Sequence, residues 1–135
     1  MKYLIIAILI FLTACENGVR EKKQTRAQKR NIITTKVKFI EKDHDFGVIG
    51  LKDSISYKYG IVNLGPENYI ITNIKASCGC TSPKWDLKPI PPGDTTYVEV
   101  GFKPTTLGIQ EKSIVINSNV DSVFSVLHLR GNVTN

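Results

Sequence analysis

Methionine and tryptophan occur once each and cysteine three times among 135 residues. The longest wholly apolar run, Leu4 to Leu12, has nine residues. A spanning helix needs about 20, so a polytopic transporter is excluded. No stretch of ~12 residues combines a 3.6-residue apolar period with capping residues, so helix should be scarce. The motifs of common catalysts are missing too. There is no G-x-S-x-G elbow, no H-E-x-x-H, no glycine-rich phosphate loop and no paired C-x-x-C. A chain this short forms one domain of ordinary size, which excludes a multidomain enzyme. At 41% apolar and 22% charged residues, it is neither disordered nor collagen-like.

What the chain has begins with Met1, Lys2 and Tyr3, a short positive start, followed by the apolar run and then Thr13, Ala14 and Cys15. The run has the length and flanks of a secretory signal core. The Leu-Thr-Ala-Cys ending resembles the lipobox of bacterial lipoproteins. That resemblance implies cleavage before Cys15, which would carry diacylglycerol on sulfur and an acyl group on nitrogen. The thiol is the nucleophile that takes the lipid. One acyl chain binds a membrane marginally, at ~0.8 kcal/mol per buried methylene, whereas two or more anchor it stably. Residues 1–14 are therefore expected to be a lipoprotein signal peptide. Glu16, where an inner-membrane retention signal often has Asp, favours the outer membrane facing the periplasm.

The net charge of +6 is concentrated near this anchor. From Glu16 to Arg30 six basic residues face two acidic ones, while residues 31–135 are nearly balanced. Residues 15–34 hold little apolar surface and read as a lipidated Cys15 with a solvated basic tether. Arg20, Lys22, Lys23, Arg26, Lys29 and Arg30 can also rest on anionic headgroups, each worth about 1 kcal/mol there. A secreted tether meets no nucleic acid, so that partner is not expected.

From Thr35 onward, apolar residues alternate with polar ones and turn residues recur every eight to twelve positions. Ile55, Tyr57, Tyr59 and Ile61 form one such face, and Thr96, Val98, Val100 and Phe102 another. Tyr69–Ala76, Ser113–Ile116 and Val123–Leu129 read as further strands, while Pro83–Pro92 reads as a proline-rich loop. The pattern predicts an all-β immunoglobulin-like sandwich of about seven strands over residues 35–135. The motifs HDFGVIG, NLGP, IKASCGCTSPKW, PIPPGD and LHLRGNV follow in that order. Over residues 43–134 the chain resembles the bacterial family called domain of unknown function fifteen seventy-three. The resemblance implies an Ig-like fold, often in secreted lipoproteins, and no assigned reaction.

Cys78-Gly79-Cys80 is the one chemically suggestive motif. Three states are open. The pair can be reduced. In an extended strand residues two apart lie ~6.6 Å from each other with nearly parallel side chains, which makes a bridge difficult. Gly79 can instead allow a tight turn that closes a small, easily reduced disulfide. Or two thiolates can bind Cu(I) or Zn, although zinc takes four ligands and His44 and His128 are distant in sequence. Trp85 is expected either to cover one end of the core or to anchor a partner. His128 reads as partly exposed surface, and His44, between Asp43 and Asp45, as solvated.

The expectation is a membrane-anchored envelope lipoprotein whose Ig-like domain is a non-enzymatic binding or structural module for another envelope protein. The Ser77–Pro92 loop, with Trp85, and the edge strands are its contact regions. No cofactor is expected beyond the lipid on Cys15. The alternative is thiol-redox or soft-metal handling at Cys78 and Cys80.

Overall fold

The computed structural model describes residues 34–135 apart from Asp121 and Val123. The expected signal peptide, Cys15 and the basic tether up to Ile33 lie outside the described residues. The chain divides into residues 1–31 and 32–135, and every described residue belongs to the second unit.

Eight strands make that unit, one more than the alternation predicts. They are β1 (Val37–Phe39), β2 (Asp43–Gly50), β3 (Ile55–Asn63), β4 (Ile71–Ala76), β5 (Thr81–Trp85), β6 (Thr95–Phe102), β7 (Gly108–Ser118) and β8 (Ser125–Thr134). No helix occurs among the described residues. Two four-stranded sheets face each other, one in the order β1-β3-β6-β5 and the other β2-β8-β7-β4. Neighbours run antiparallel except β2 and β8, which are parallel, with Asp43 opposite His128 and Gly50 opposite Thr134.

The extra strand is β5, which lies in the stretch read as a loop. Proline cannot donate to a ladder, so it is confined to edges and bulges. Pro83 sits in an edge strand, where this rule allows it. The period-2 pattern is present there: Thr81, Pro83 and Trp85 face Phe102, Val100 and Val98 on the neighbouring strand. The last strand also starts later and runs further than expected.

The core is the sum of the inward faces. Tyr59, Ile61, Val98 and Val100 from one sheet meet Ile114, Ile116, Leu127 and Leu129 from the other, all without solvent exposure. Each large apolar side chain so buried contributes about 1.5–3 kcal/mol. Phe46 turns inward from β2 and its ring covers Gly131, where an added Cβ would lie 2.3 Å from the ring. The same ring lies 5.5 Å from that of Phe102 in the opposite sheet. The strand then bulges at Gly47, with φ 72°, and Asp45 Oδ1 accepts the Gly47 N–H at 2.8 Å.

Candidate functional site

The link from β4 to β5 carries the chain from the edge of one sheet to the edge of the other. That crossing is made at Ser77–Cys80. Thr81 N–H reaches back to the Cys78 carbonyl at 3.3 Å, closing a tight turn. The turn brings the two cysteine Cα atoms to 5.3 Å, and the sulfurs are bonded. Of the three states left open by the sequence, the structure has the bridged one. Residues 78–80 are not extended, so the ~6.6 Å separation of a strand does not apply. Among the described residues no cluster of three or more His, Cys, Asp or Glu could hold a metal ion.

A ring spanning three residues removes little entropy from the unfolded chain, about 1.6 kcal/mol. Other bonds hold its neighbours. Lys103 N–H donates to the Cys80 carbonyl at 3.0 Å, and Ser77 N–H to the Ser113 carbonyl at 2.9 Å. Ser113 N–H returns a bond to Ser77 Oγ at 3.1 Å.

Beside the turn lies the outer face of β3, β6 and β5. Ser56, Gly101 and Ser82 stand in register across it. Their small side chains leave a groove of about 500 Å³, bordered by Gly79, Cys80 and Lys103. The next row is charged, with Glu99 between Lys58 and Lys84. Glu99 accepts the Ser56 hydroxyl at 2.9 Å and pairs with Lys58 at 3.8 Å. Beyond it Ile40 and Tyr97 flank Gly60, where an added Cβ would strike Ile40 at 2.5 Å. Tyr97 is 54% and Ile40 64% exposed. Hydroxyls, paired charge and apolar surface thus follow one another over a single face.

Trp85 does not present itself to this face. It is half-buried against the core opposite Val98, and its indole N–H is buried with no protein acceptor. His44 is not fully solvated. Its ring stacks on Tyr57 at 3.4 Å, and its Nδ1 lies 3.8 Å from Glu41. Glu41 also accepts the Tyr57 hydroxyl. That bond, with burial and the Glu41 charge behind it, raises the Tyr57 pKa above the usual phenol value. Sequence reasoning singled out His44 but missed Glu41 and Tyr57; the spacing of three between Glu41 and His44 was the available signal. His128 lies on the outer face of β8 as expected, with Nδ1 buried and unbonded, while its carbonyl accepts the Tyr59 hydroxyl at 2.8 Å. The structure therefore brings Cys78 and Cys80 together, leaves Trp85 on another strand, and sets His44 and His128 on paired strands one register position apart.

A family model described as "protein of unknown function (DUF1573)" matches residues 37–133. The chain belongs to this family. No curated protein matches the chain. Solved structures resemble it at low identity, which shows the fold alone. A protein of unknown function from Porphyromonas gingivalis is 14% identical with a TM-score of 0.66, covering 73% of this chain and 47% of that one. The Vibrio cholerae VesB protease is 12% identical with a TM-score of 0.57, covering 73% and 32%. The ASH/PapD-like domain 7 of human CEP192 is 10% identical with a TM-score of 0.59, covering 87% and 98%. The chain thus spans less than half the length of the two bacterial structures and matches a PapD-like domain nearly end to end.

Proposed function

We propose that this protein is a lipid-anchored component of the bacterial cell envelope whose Ig-like domain binds a second envelope protein and catalyses no reaction. The Leu-Thr-Ala-Cys ending after a nine-residue apolar run supports the anchor on Cys15. The basic tether supports a membrane surface nearby, and Glu16 favours the outer membrane facing the periplasm.

One observation carries the binding role: the groove and the exposed Ile40 and Tyr97 lie on the same outer sheet face. A partner that seats there gains apolar burial beside hydroxyls and a paired carboxylate. The β4 edge, six residues without proline, offers strand addition as a supplementary contact. Trp85 is withdrawn from the contact surface, since it packs inward.

The test is photocrosslinking in intact cells from Ser82 and from Tyr97, with Val115 on the other sheet as control. One envelope protein should crosslink from Ser82 and Tyr97 and not from Val115. Gly101→Leu should abolish the adduct by filling the groove, where its Cβ meets the Ser82 hydroxyl at 3.0 Å and the Ser82 carbonyl at 3.7 Å. Equal labelling from all three positions, or none in membranes that hold the chain, overturns the reading. Cys15→Ser should release the chain from the membrane pellet and remove incorporated fatty acid; unchanged sedimentation and labelling overturn the anchor.

A further inference from the structure

The two bonded sulfurs have different surroundings. Cys80, with Gly79, borders the groove beside Lys103, and Cys78 does not. The Cys78 sulfur instead lies 3.4 Å from Thr81 Oγ1. A sulfur in a disulfide carries no hydrogen, so the Thr81 hydroxyl is the donor of that contact. Thr81 is 5% exposed, so its hydroxyl is shielded from competing water. Hydrogen bonds to a charged acceptor are stronger than to a neutral one. The hydroxyl therefore stabilises a thiolate on Cys78 more than it stabilises the bridged sulfur. This makes Cys78 the better leaving group and directs attack to Cys80, which borders the groove although it also packs partly against the core.

The ring can also open without dismantling its surroundings. Lys103 holds the Cys80 carbonyl, and Ser113 holds Ser77, through bonds that involve no sulfur. Exposed Lys84 and Lys103 put two ammonium groups at the groove through which an anionic sulfur would approach, while Glu99, which also lines it, is paired with Lys58.

We propose that Cys78–Cys80 is a reversible redox pair, which exchanges with a dithiol through attack at Cys80. In the first step the thiolate of the dithiol bonds to Cys80 Sγ as the Cys78–Cys80 bond breaks. The electron pair leaves on Cys78 as a thiolate beneath the Thr81 hydroxyl. In the second step the other thiol, having lost its proton to solvent, attacks its own partner sulfur in the mixed disulfide. Cys80 leaves as thiolate and the dithiol departs as a disulfide. Both cysteines take protons from water, so two electrons and two protons pass to the pair. The reverse sequence reoxidises it. This activity does not depend on the envelope partner proposed above.

The full chain, equilibrated without oxygen in mixtures of dithiothreitol and its cyclic disulfide, tests the proposal. Peptide mapping after alkylation should show Cys78 and Cys80 gaining and losing thiols together along a two-electron curve. The far-UV circular dichroism should stay constant throughout. A pulse of glutathione, quenched in acid within milliseconds and then alkylated, should place glutathione on Cys80 and the alkyl label on Cys78. Thr81→Val should slow reduction about fivefold, the worth of one such bond, and Thr81→Ser should restore the rate. Reduction that needs denaturant, a reduced state that unfolds, or glutathione found mainly on Cys78 overturns the proposal. So does a folded Thr81→Val protein reduced at the original rate. Crosslinking at Ser82 reads the binding role separately, so the two ideas fail independently.

Discussion

Asn63 has no solvent exposure, and its side-chain amide is used at both ends. Its oxygen accepts from Thr35 Oγ1 at 2.8 Å and Gly65 N–H at 3.2 Å. Its nitrogen donates to the carbonyls of Glu67 at 2.7 Å and Ile90 at 2.9 Å. Asn63→Ala removes one bond from each of these partners, although the Ile90 carbonyl keeps the Tyr69 N–H and Gly65 N–H keeps the Lys36 carbonyl, and should lower stability by about 2 kcal/mol in urea unfolding. Tyrosine sets the alkaline limit. Burial first, then the charge of Glu41, pushes the Tyr59 pKa far above the ordinary phenol value, and Tyr57 and Tyr69 are raised too. The folded chain keeps protons that the unfolded chain releases above about pH 10. Their stabilising contribution is therefore complete below about pH 10 and is lost as pH rises beyond it. The urea midpoint should stay level up to that point and then fall. Tyr59→Phe should lose about 1 kcal/mol at pH 8, from its bond to the His128 carbonyl, and flatten the alkaline decline. At this scale the sequence named Cys78, Cys80, His44 and Trp85, but not their states. Residue identity tells what a side chain can do. Gly79 signals that a turn is allowed, but which of the two sulfurs meets a hydroxyl depends on how that turn is seated against Thr81.

The strand β5 shows where element reading stops. Its proline and those that follow it suggest a loop, yet Thr81, Pro83 and Trp85 alternate inward with Ser82 and Lys84 outward. The signal was present but five residues long, and an edge position excuses its proline. Because Trp85 packs on the core, Trp85→Ala should cost about 3 kcal/mol in stability. It should not selectively remove a partner, and comparing thermal melting with crosslinking yield from Ser82 checks this. β2 carries a related constraint. Gly131→Ala would place a Cβ 2.3 Å from the Phe46 ring and 2.7 Å from the Gly47 carbonyl. It should destabilise the domain by about 2 kcal/mol by urea unfolding, since a ring and a ladder must both shift. The alternation in β3 and β6, by contrast, was readable because both strands are long and lie inside one sheet.

At the scale of the molecule, the all-β class was legible because period-2 patterns recur across the whole domain. The neighbours of each strand were not, because alternation says which face is buried and nothing about who lies alongside. The pairing of Asp43 with His128 joins segments at opposite ends of the domain. Such distant pairings must be closed before they are rewarded, so refolding should take milliseconds to seconds rather than microseconds. Stopped-flow fluorescence of Trp85, the single indole, would read this directly.

The parallel alignment of β2 with β8 has a mechanical meaning. Tension applied between the two ends of the domain draws these strands past each other lengthwise, so their rungs must yield together and not one after another. A domain pulled in this way would stretch at its flanks first and give way at this seam last.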